Sequence, residues 1–95
     1  MRVISRKAVT EFGNNHSDAV ASLASWYKVV RNADWKTPAD LKAVFLDADF
    51  VADKVVFNIA LNRYRLIAWV AYRAHKVLIK AILTQKQYDK EHWKQ

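Results

Sequence analysis

Several cationic side chains and one tyrosine in the C-terminal half could together act on a phosphodiester. Arg65 and Arg73 fall on one face of a predicted strand, and Lys80, Lys86 and Tyr88 follow further along the chain. A reaction at a phosphodiester needs a proton removed from the attacking oxygen and the negative charge at phosphorus stabilised. Arginine and lysine supply that stabilisation, and arginine does so through planar donors that match phosphate. A basic face that binds a polyanion without cutting it is the alternative.

The positive charge of the chain is concentrated in its C-terminal part. The net charge is +7, with seven Lys/Arg and seven Asp/Glu in residues 1–53. Residues 54–95 contain nine Lys/Arg against Asp89 and Glu91. A segregated excess indicates a surface that meets a polyanion, with nucleic acid as the leading candidate and a basic surface without a specific partner as the alternative.

The composition argues against several other kinds of site. The chain has no cysteine, so disulfides and thiolate metal sites are excluded, and its one glycine excludes a Gly-rich phosphate loop. Asp47, Asp49 and Asp53 precede a predicted strand, where carboxylates more often form turns than hold a metal. The three histidines share no metal-ligand spacing. We therefore expect neither a metal nor a cofactor.

The length of 95 residues, of which 53% are hydrophobic, predicts one domain over residues 1–95 with a buried core. The longest apolar stretches are far below the roughly 18 residues that a spanning helix needs. The first five residues are followed by charged residues rather than by an apolar signal core. We expect a soluble, cytoplasmic protein.

Capping signals predict three helices in the N-terminal half. Ser5, Ser17 and Thr37 each stand where a side-chain oxygen could accept from the first backbone N–H groups of a helix. Pro38 and Asp40 strengthen the third signal, because proline suits the first helical position and a carboxylate suits the first turn. The predicted helices are Arg6–Phe12, ended by Gly13-Asn14-Asn15, then Asp18–Arg31, and Pro38 to about Val44.

After Asp53 the hydrophobic period changes from helical to alternating, which predicts an antiparallel meander. Helices first and sheet after make this an α+β fold, with N-terminal helices packed on a small antiparallel sheet and a short C-terminal helix. Thr84 is a candidate cap for that last helix. The predicted elements of this part are a first strand over Met1–Ile4, strands over Lys54–Ala60, Tyr64–Arg73 and Val77–Leu83, and a helix from Gln85 to about Trp93.

Strand parity gives the middle strand one charged face, which contains Arg65, Ile67, Trp69 and Arg73. A two-residue turn before the next strand would place Lys80 opposite Trp69 on this face, and a three-residue loop would send it to the other. We expect Trp69 to be a packing residue like the other tryptophans, with stacking against a nucleobase as the alternative.

A set of motifs in one order resembles the HigB family of toxins, which belongs to the RelE-like superfamily. The resemblance covers nearly the whole chain and is strongest from Lys36 to Asp89. The motifs are Lys36-Thr-Pro-Ala-Asp-Leu-Lys-Ala-Val-Phe45, Ala48-Asp-Phe50, Lys54-Val-Val-Phe-Asn-Ile59, Asn62-Arg-Tyr-Arg-Leu-Ile67 and Thr84-Gln-Lys-Gln-Tyr-Asp89.

This resemblance implies a fold of two or three helices packed on a small antiparallel sheet. It also implies an mRNA interferase, an endoribonuclease that inhibits translation, commonly by cutting mRNA on the ribosome. The expected reaction is a metal-free attack of a ribose 2′-hydroxyl on the adjacent phosphate, and the expected partner is a HigA-type antitoxin with a helix-turn-helix domain.

The resemblance also implies roles for particular residues. Arg65 and Lys80 would bind phosphate and stabilise the transition state, and Tyr88 would orient or deprotonate the nucleophile. Relatives usually have a histidine at the position of Gln85 and a glycine near Ala60-Leu61, so the base and the turn are expected to differ here. The residues expected on the RNA-binding surface are Arg63, Arg73, which strand parity alone suggests, Lys76, Gln85, Lys86 and His92.

Two functional classes remain open from the sequence. In the first, the chain is a working ribonuclease that uses Arg65, Lys80 and Tyr88, with His92 a possible substitute for the missing imidazole. In the second, the chain is a catalytically weak protein of the same fold that binds RNA, the ribosome or an antitoxin without cleavage. The second class predicts salt-dependent binding and no cleavage products.

Overall fold

The computed structural model describes residues 1–90, which form five strands and four α-helices. None of these helices has the length and the apolar character needed to cross a bilayer. The elements are β1 (Arg2–Ile4), α1 (Arg6–Asn15), α2 (Val20–Asn32), α3 (Pro38–Val44), β2 (Asp49–Val51), β3 (Lys54–Ile59), β4 (Tyr64–Ala71), β5 (Lys76–Thr84) and α4 (Gln85–Asp89).

The sheet has the strand order β1-β5-β4-β3-β2 and is mixed rather than wholly antiparallel. The meander from β2 to β5 is antiparallel, as the alternating pattern predicts, but β1 pairs with β5 in parallel. That pairing joins segments more than 70 residues apart, so no local signal gives its direction. The strand β2 was also missed from the sequence, because its three residues lie between aspartates, which are typical of turns.

The helices cover one face of the sheet and build the core there. Leu23, Trp26 and Val30 of α2 are buried, and the Trp26 ring meets the edge of Phe57 with centroids 5.4 Å apart. The central strand β4 contributes alternate residues to this core, which are Tyr64, Leu66, Ala68 and Val70. The intervening residues of β4 therefore face away from the helices.

Two helix boundaries differ from the prediction. The first helix continues through Gly13 to Asn15, because Gly13 is needed for packing rather than for a helix end. A Cβ at Gly13 would lie 3.2 Å from Cγ2 of Val20, so glycine allows close packing at the start of α2.

Ser17 begins a short 3₁₀ turn over Ser17–Ala19, and α2 follows from Val20. Ser5 precedes α1 as predicted, but its side chain makes no capping hydrogen bond.

The cap of α3 confirms the prediction from Thr37 and Pro38. Thr37 Oγ1 accepts from the backbone N–H of Asp40 at 3.3 Å, and Asp40 Oδ2 accepts from the N–H of Thr37 at 3.2 Å. The N–H of Lys36 donates to the same carboxylate at 2.9 Å and is the main reason that the pKa of Asp40 lies below its usual value. Two hydrogen bonds thus satisfy the reciprocal arrangement of a capping box.

Asp18 joins the helical layer to the sheet. Its carboxylate accepts from the Tyr64 hydroxyl at 2.5 Å and from the Arg63 guanidinium at 3.1 Å. The hydrogen bond from Tyr64 is the main cause that lowers the pKa of Asp18, and the same bond raises the pKa of Tyr64. The start of β4 is therefore fixed to the segment between α1 and α2.

Asp18→Asn should weaken the fold at neutral pH, and the difference should shrink in acid. Because folding lowers the pKa of Asp18, its stabilisation is present above the unfolded value of about 3.9 and fades as the pH falls through the folded value. Denaturant unfolding at pH 7 and at a series of acid pH values measures this gap in free energy. Asp49→Asn, at an exposed aspartate on β2, is the matched control, and a gap for Asp18→Asn that stays constant with pH would contradict the assignment.

Thr37→Ala should destabilise the protein by about 1 kcal/mol, because the N-cap hydrogen bond to Asp40 is lost. Thr37→Ser keeps the hydroxyl oxygen and should retain most of the stability. Chemical denaturation followed by circular dichroism compares the two variants. Equal losses for alanine and serine would show that the hydroxyl does not stabilise α3.

Candidate active site

Lys80 reaches the open face of the sheet through a bulge in β5. Ala68 pairs with Ile79 and Ile67 pairs with Ala81, so Lys80 is an extra residue in the ladder. The connection before β5 has four residues, because Ala71 pairs with Lys76, and neither of the two predicted turn lengths is correct. Of the two faces that the sequence left open for Lys80, the structure gives the charged one, where Lys80 lines a cavity together with Ile67 and Trp69.

The turn between β3 and β4 anchors Arg65. Its residues Ala60, Leu61 and Asn62 all have positive φ, at 52°, 55° and 70°. This conformation leaves the carbonyl of Asn62 able to accept from Nη1 of Arg65 at 2.7 Å. The turn thus forms without the glycine that relatives have, and it holds the guanidinium near the start of β4.

The first residue of helix α4 is hydrogen-bonded to the end of the same turn, and the helix places Tyr88 beside Arg65. The backbone N–H of Gln85 donates to the carbonyl of Arg63 at 3.2 Å, and Thr84 with Gln87 forms a capping box at the start of the helix. Cζ of Arg65 lies 5.4 Å from the centre of the Tyr88 ring. A guanidinium at this distance is within the range of a cation–π contact. Arg65 and Tyr88 therefore form a pair at one end of the open face.

The side chain of Gln85, the position where the family resemblance leads one to expect histidine, forms a hydrogen bond within α4. Its Nε2 donates to Oδ1 of Asp89 at 2.8 Å. Lys86 on the same helix is exposed. Residue His92 lies outside the described residues, as does the predicted extension of the helix to Trp93.

The remaining predicted RNA-binding residues are not gathered around Arg65. Arg63 points to Asp18 on the helical side. Arg73 is not on β4 as predicted, because the strand ends at Ala71 and Arg73 lies exposed in the following turn. The six residue steps from Arg65 to Ala71 span about 20 Å of strand, so Arg73 and the neighbouring Lys76 belong to the opposite end of the sheet.

A cavity of about 500 Å³ opens on the charged face beside Lys80 and is lined in part by Lys54, which the sequence analysis did not include in the site. Lys54 Nζ lies 3.1 Å from Oδ1 of Asp53, and both residues line the cavity. The hydrogen bond from Lys54 is the main cause that lowers the pKa of Asp53, and the charges of Lys54 and Lys80 act in the same direction. Strand parity could have found Lys54, which belongs to the same face as Trp69.

Trp69 does not pack in the core, which corrects the prediction. Its exposed fraction is 43%, whereas Trp26 and Trp35 are each 3% exposed. Trp69 pairs across the strands with Leu78, on the face that the helices leave uncovered.

The acidic and histidine residues considered from the sequence are placed apart. Asp47 accepts from the amide of Asn58 at 3.0 Å, and Asp53 contacts Lys54. His16 stacks on Phe12, with ring centres 4.0 Å apart. Within residues 1–90, no three His, Asp or Glu side chains come together as a metal site would require.

Comparisons with known proteins find relatives that match nearly the whole chain. The chain is 28% identical over 92 residues to the mRNA interferase toxin HigB of Escherichia coli (strain K12), an alignment that covers 94% of this chain and 88% of the relative. The same figures hold for an mRNA interferase HigB of Shigella flexneri. A HigB of Escherichia coli O6:H1 (strain CFT073) is 25% identical over 93 residues, covering 95% of this chain and 90% of that protein.

A model of the HigB toxin family, described as the RelE-like toxic component of a toxin-antitoxin system, matches residues 19–91. The match contains β2 to β5 and α4, which carry the open face and the Arg65–Tyr88 pair. This chain therefore belongs to the HigB toxins, the RelE-like toxic components of toxin-antitoxin systems.

Proposed function

We propose that this protein is an mRNA interferase that cleaves RNA without a metal ion. The observation that carries the proposal is the pairing of Arg65 with Tyr88, 5.4 Å apart, at one end of an uncovered cationic sheet face. The names of the relatives in Escherichia coli and Shigella flexneri support the same activity.

In this reaction the 2′-hydroxyl of a ribose gives its proton to water and its oxygen bonds to the adjacent phosphorus. The bond to the 5′-oxygen of the next nucleotide breaks, and that oxygen takes a proton from water, which leaves a 2′,3′-cyclic phosphate and a 5′-hydroxyl. Negative charge gathers on the phosphoryl oxygens, where Arg65 donates hydrogen bonds. Tyr88, held beside Arg65, contacts the 2′-hydroxyl and orients it for attack. The first residue of α4, the helix that carries Tyr88, is hydrogen-bonded to the same turn that fixes the guanidinium.

Lys80 assists Arg65 from the neighbouring strand. Leu83 is the cross-strand partner of Arg65 and lies three residues beyond Lys80, about 10 Å of strand. A lysine and an arginine side chain together extend over such a gap, so both cations reach one phosphate or two successive phosphates. The bulge that exposes Lys80 thus places a second positive charge along the path of the RNA.

The other residues predicted to bind RNA contact it around the reacting phosphate and beyond it. Lys86 and Gln85 lie on α4 near Tyr88, and Arg63 lies in the adjacent turn. Arg73 and Lys76 extend the positive surface to the far end of the sheet and contact more distant phosphates. His92, which follows Tyr88 in the sequence by four residues, completes the proposed RNA-binding set.

Membership of a toxin-antitoxin family implies an antitoxin partner. We propose that this partner is a HigA-type protein with a helix-turn-helix domain and that cleavage takes place on ribosome-bound mRNA in the cytoplasm. Induced expression in a bacterial host with primer extension on abundant mRNAs tests the activity directly. Growth arrest with new 5′ ends supports the interferase, whereas salt-dependent RNA binding without new ends from a folded protein supports the non-cleaving alternative.

Arg65→Ala should lower the cleavage rate by about 100- to 1,000-fold, because it removes donors to the charge that develops in the transition state. Tyr88→Phe should also reduce the rate steeply while the fold survives. Arg73→Ala is the matched control, since it removes one charge at the far end of the sheet. We expect Arg73→Ala to leave the cleavage rate of bound RNA unchanged. The slope of the logarithm of RNA affinity against the logarithm of salt concentration should become shallower by about 0.7. Equal rate losses in Arg65→Ala and Arg73→Ala would contradict the assignment of the site.

Gln85→His should introduce a titration that the wild-type protein lacks at this position. A histidine there would lie beside Asp89, and its neutral form could accept a proton from the attacking hydroxyl. The cleavage rate of Gln85→His should therefore rise with pH through about 6 to 7, a step absent from the wild-type profile. Gln85→Asn is the control, and identical pH–rate profiles for all three proteins would rule out participation of this position in proton transfer.

A further inference from the structure

Trp69 is an exposed indole at the centre of a cationic surface. It lies on β4 two residues beyond Ile67, whose side chain is almost completely buried on the same face. With 43% of its surface exposed, Trp69 leaves part of its ring to solvent beside the cavity that Leu78 and Lys80 also line. The exposed part of the ring offers a flat apolar surface with a polar N–H, which suits contact with a ligand.

The cations around Trp69 come from both neighbouring strands. Lys54 of β3 and Lys80 of β5 line the same cavity, with Asp53 beside Lys54. The carboxylate neutralises one of the two ammonium groups, so the three charged side chains carry a net charge of +1. A ring flanked by an uncompensated cation suits a ligand that has both a flat apolar part and a negative charge.

We propose that this cavity binds one nucleotide of the RNA, with its base stacked on Trp69 and its phosphate on Lys80. The inference rests on the proposed function, because Trp69 shares the open face with Arg65 and Tyr88. Stacking on an aromatic side chain accepts any base, since every base presents a flat π surface. Trp69 therefore secures the RNA strand beside the scissile phosphate and contributes to RNA affinity rather than to the chemical step.

The occupant is a nucleotide rather than an apolar protein segment because of the charges. Lys54, Asp53 and Lys80 line the cavity together with Trp69, and desolvating them under an apolar chain would be unfavourable. A nucleotide instead covers the ring with its base alone. Its sugar stays in water, and its phosphate contacts Lys80 while remaining accessible to water. The continuity of this cavity with the face that holds Arg65 also fits a single strand that crosses the sheet.

Binding of two short oligomers that cannot be cleaved tests the proposal. One is a 2′-O-methyl RNA, which lacks the attacking hydroxyl, and the other has the same phosphates but no bases. Trp69→Leu should weaken binding of the first by about 10-fold and of the second by less than twofold. Trp69→Phe should recover most of the affinity, because a smaller aromatic ring still stacks.

The matched control is Phe50→Leu, at a similarly exposed aromatic residue. Phe50 is 45% exposed and pairs with Val55, so it lies on the face of the sheet opposite to Trp69. Its replacement should change neither affinity. Circular dichroism of each variant shows that the fold is retained.

The possible outcomes separate this inference from the proposed function. Unchanged affinity of Trp69→Leu, or equal weakening for both oligomers, overturns the stacking role while cleavage by the wild-type protein stands. No binding of either oligomer by the wild-type protein contradicts the RNA-binding function itself. Loss of co-purification with the antitoxin in Trp69→Leu, with RNA affinity intact, would assign the ring to the antitoxin and would also overturn the proposal.

Discussion

The structure depends on how the central strand β4 divides its side chains between two environments. One face must pack against the helices, and Leu66, Ala68 and Val70 fill that face. Because side chains alternate along a strand, Arg65, Ile67 and Trp69 must lie on the opposite face of the sheet, which the helices do not cover. The chemistry of the open face is therefore a direct consequence of how the core is built. A shift of one residue in the pairing would bury Arg65 and expose Leu66.

The turn over residues 60–63 makes hydrogen bonds with three parts of the molecule. The helical layer reaches it through Asp18 and Arg63, the guanidinium of Arg65 through the carbonyl of Asn62, and α4 through the carbonyl of Arg63. Three successive residues with positive φ make this compact shape possible. Such conformations cost free energy in residues other than glycine, so the surrounding hydrogen bonds must stabilise the turn.

Local signals in the sequence were sufficient for the elements but not for every contact. The cap at Thr37 and the alternation in β3 and β4 are local, and both were predicted correctly. The parallel pairing of β1 with β5 is not local, and the role of Gly13 depends on a side chain seven residues away in the next helix. The exposure of Trp69 could not be derived from its residue type, because tryptophan occurs as often in cores as on binding surfaces. Arg65 and Tyr88 were singled out by residue type and by the family motifs, but their contact depends on where the turn before β4 and the helix α4 meet.

The bulge at Lys80 has a consequence for how this surface can change over evolutionary time. Ile79 and Ile82 both contribute to the helical side of the sheet, and the ladder is regular on each side of Lys80. Removal of this one residue would restore an uninterrupted ladder with the same core residues in place. A single inserted codon is therefore enough to add a cation to the open face without altering the interior, and its loss would be equally simple. Insertions and deletions at most other positions of a paired strand reverse every side chain that follows.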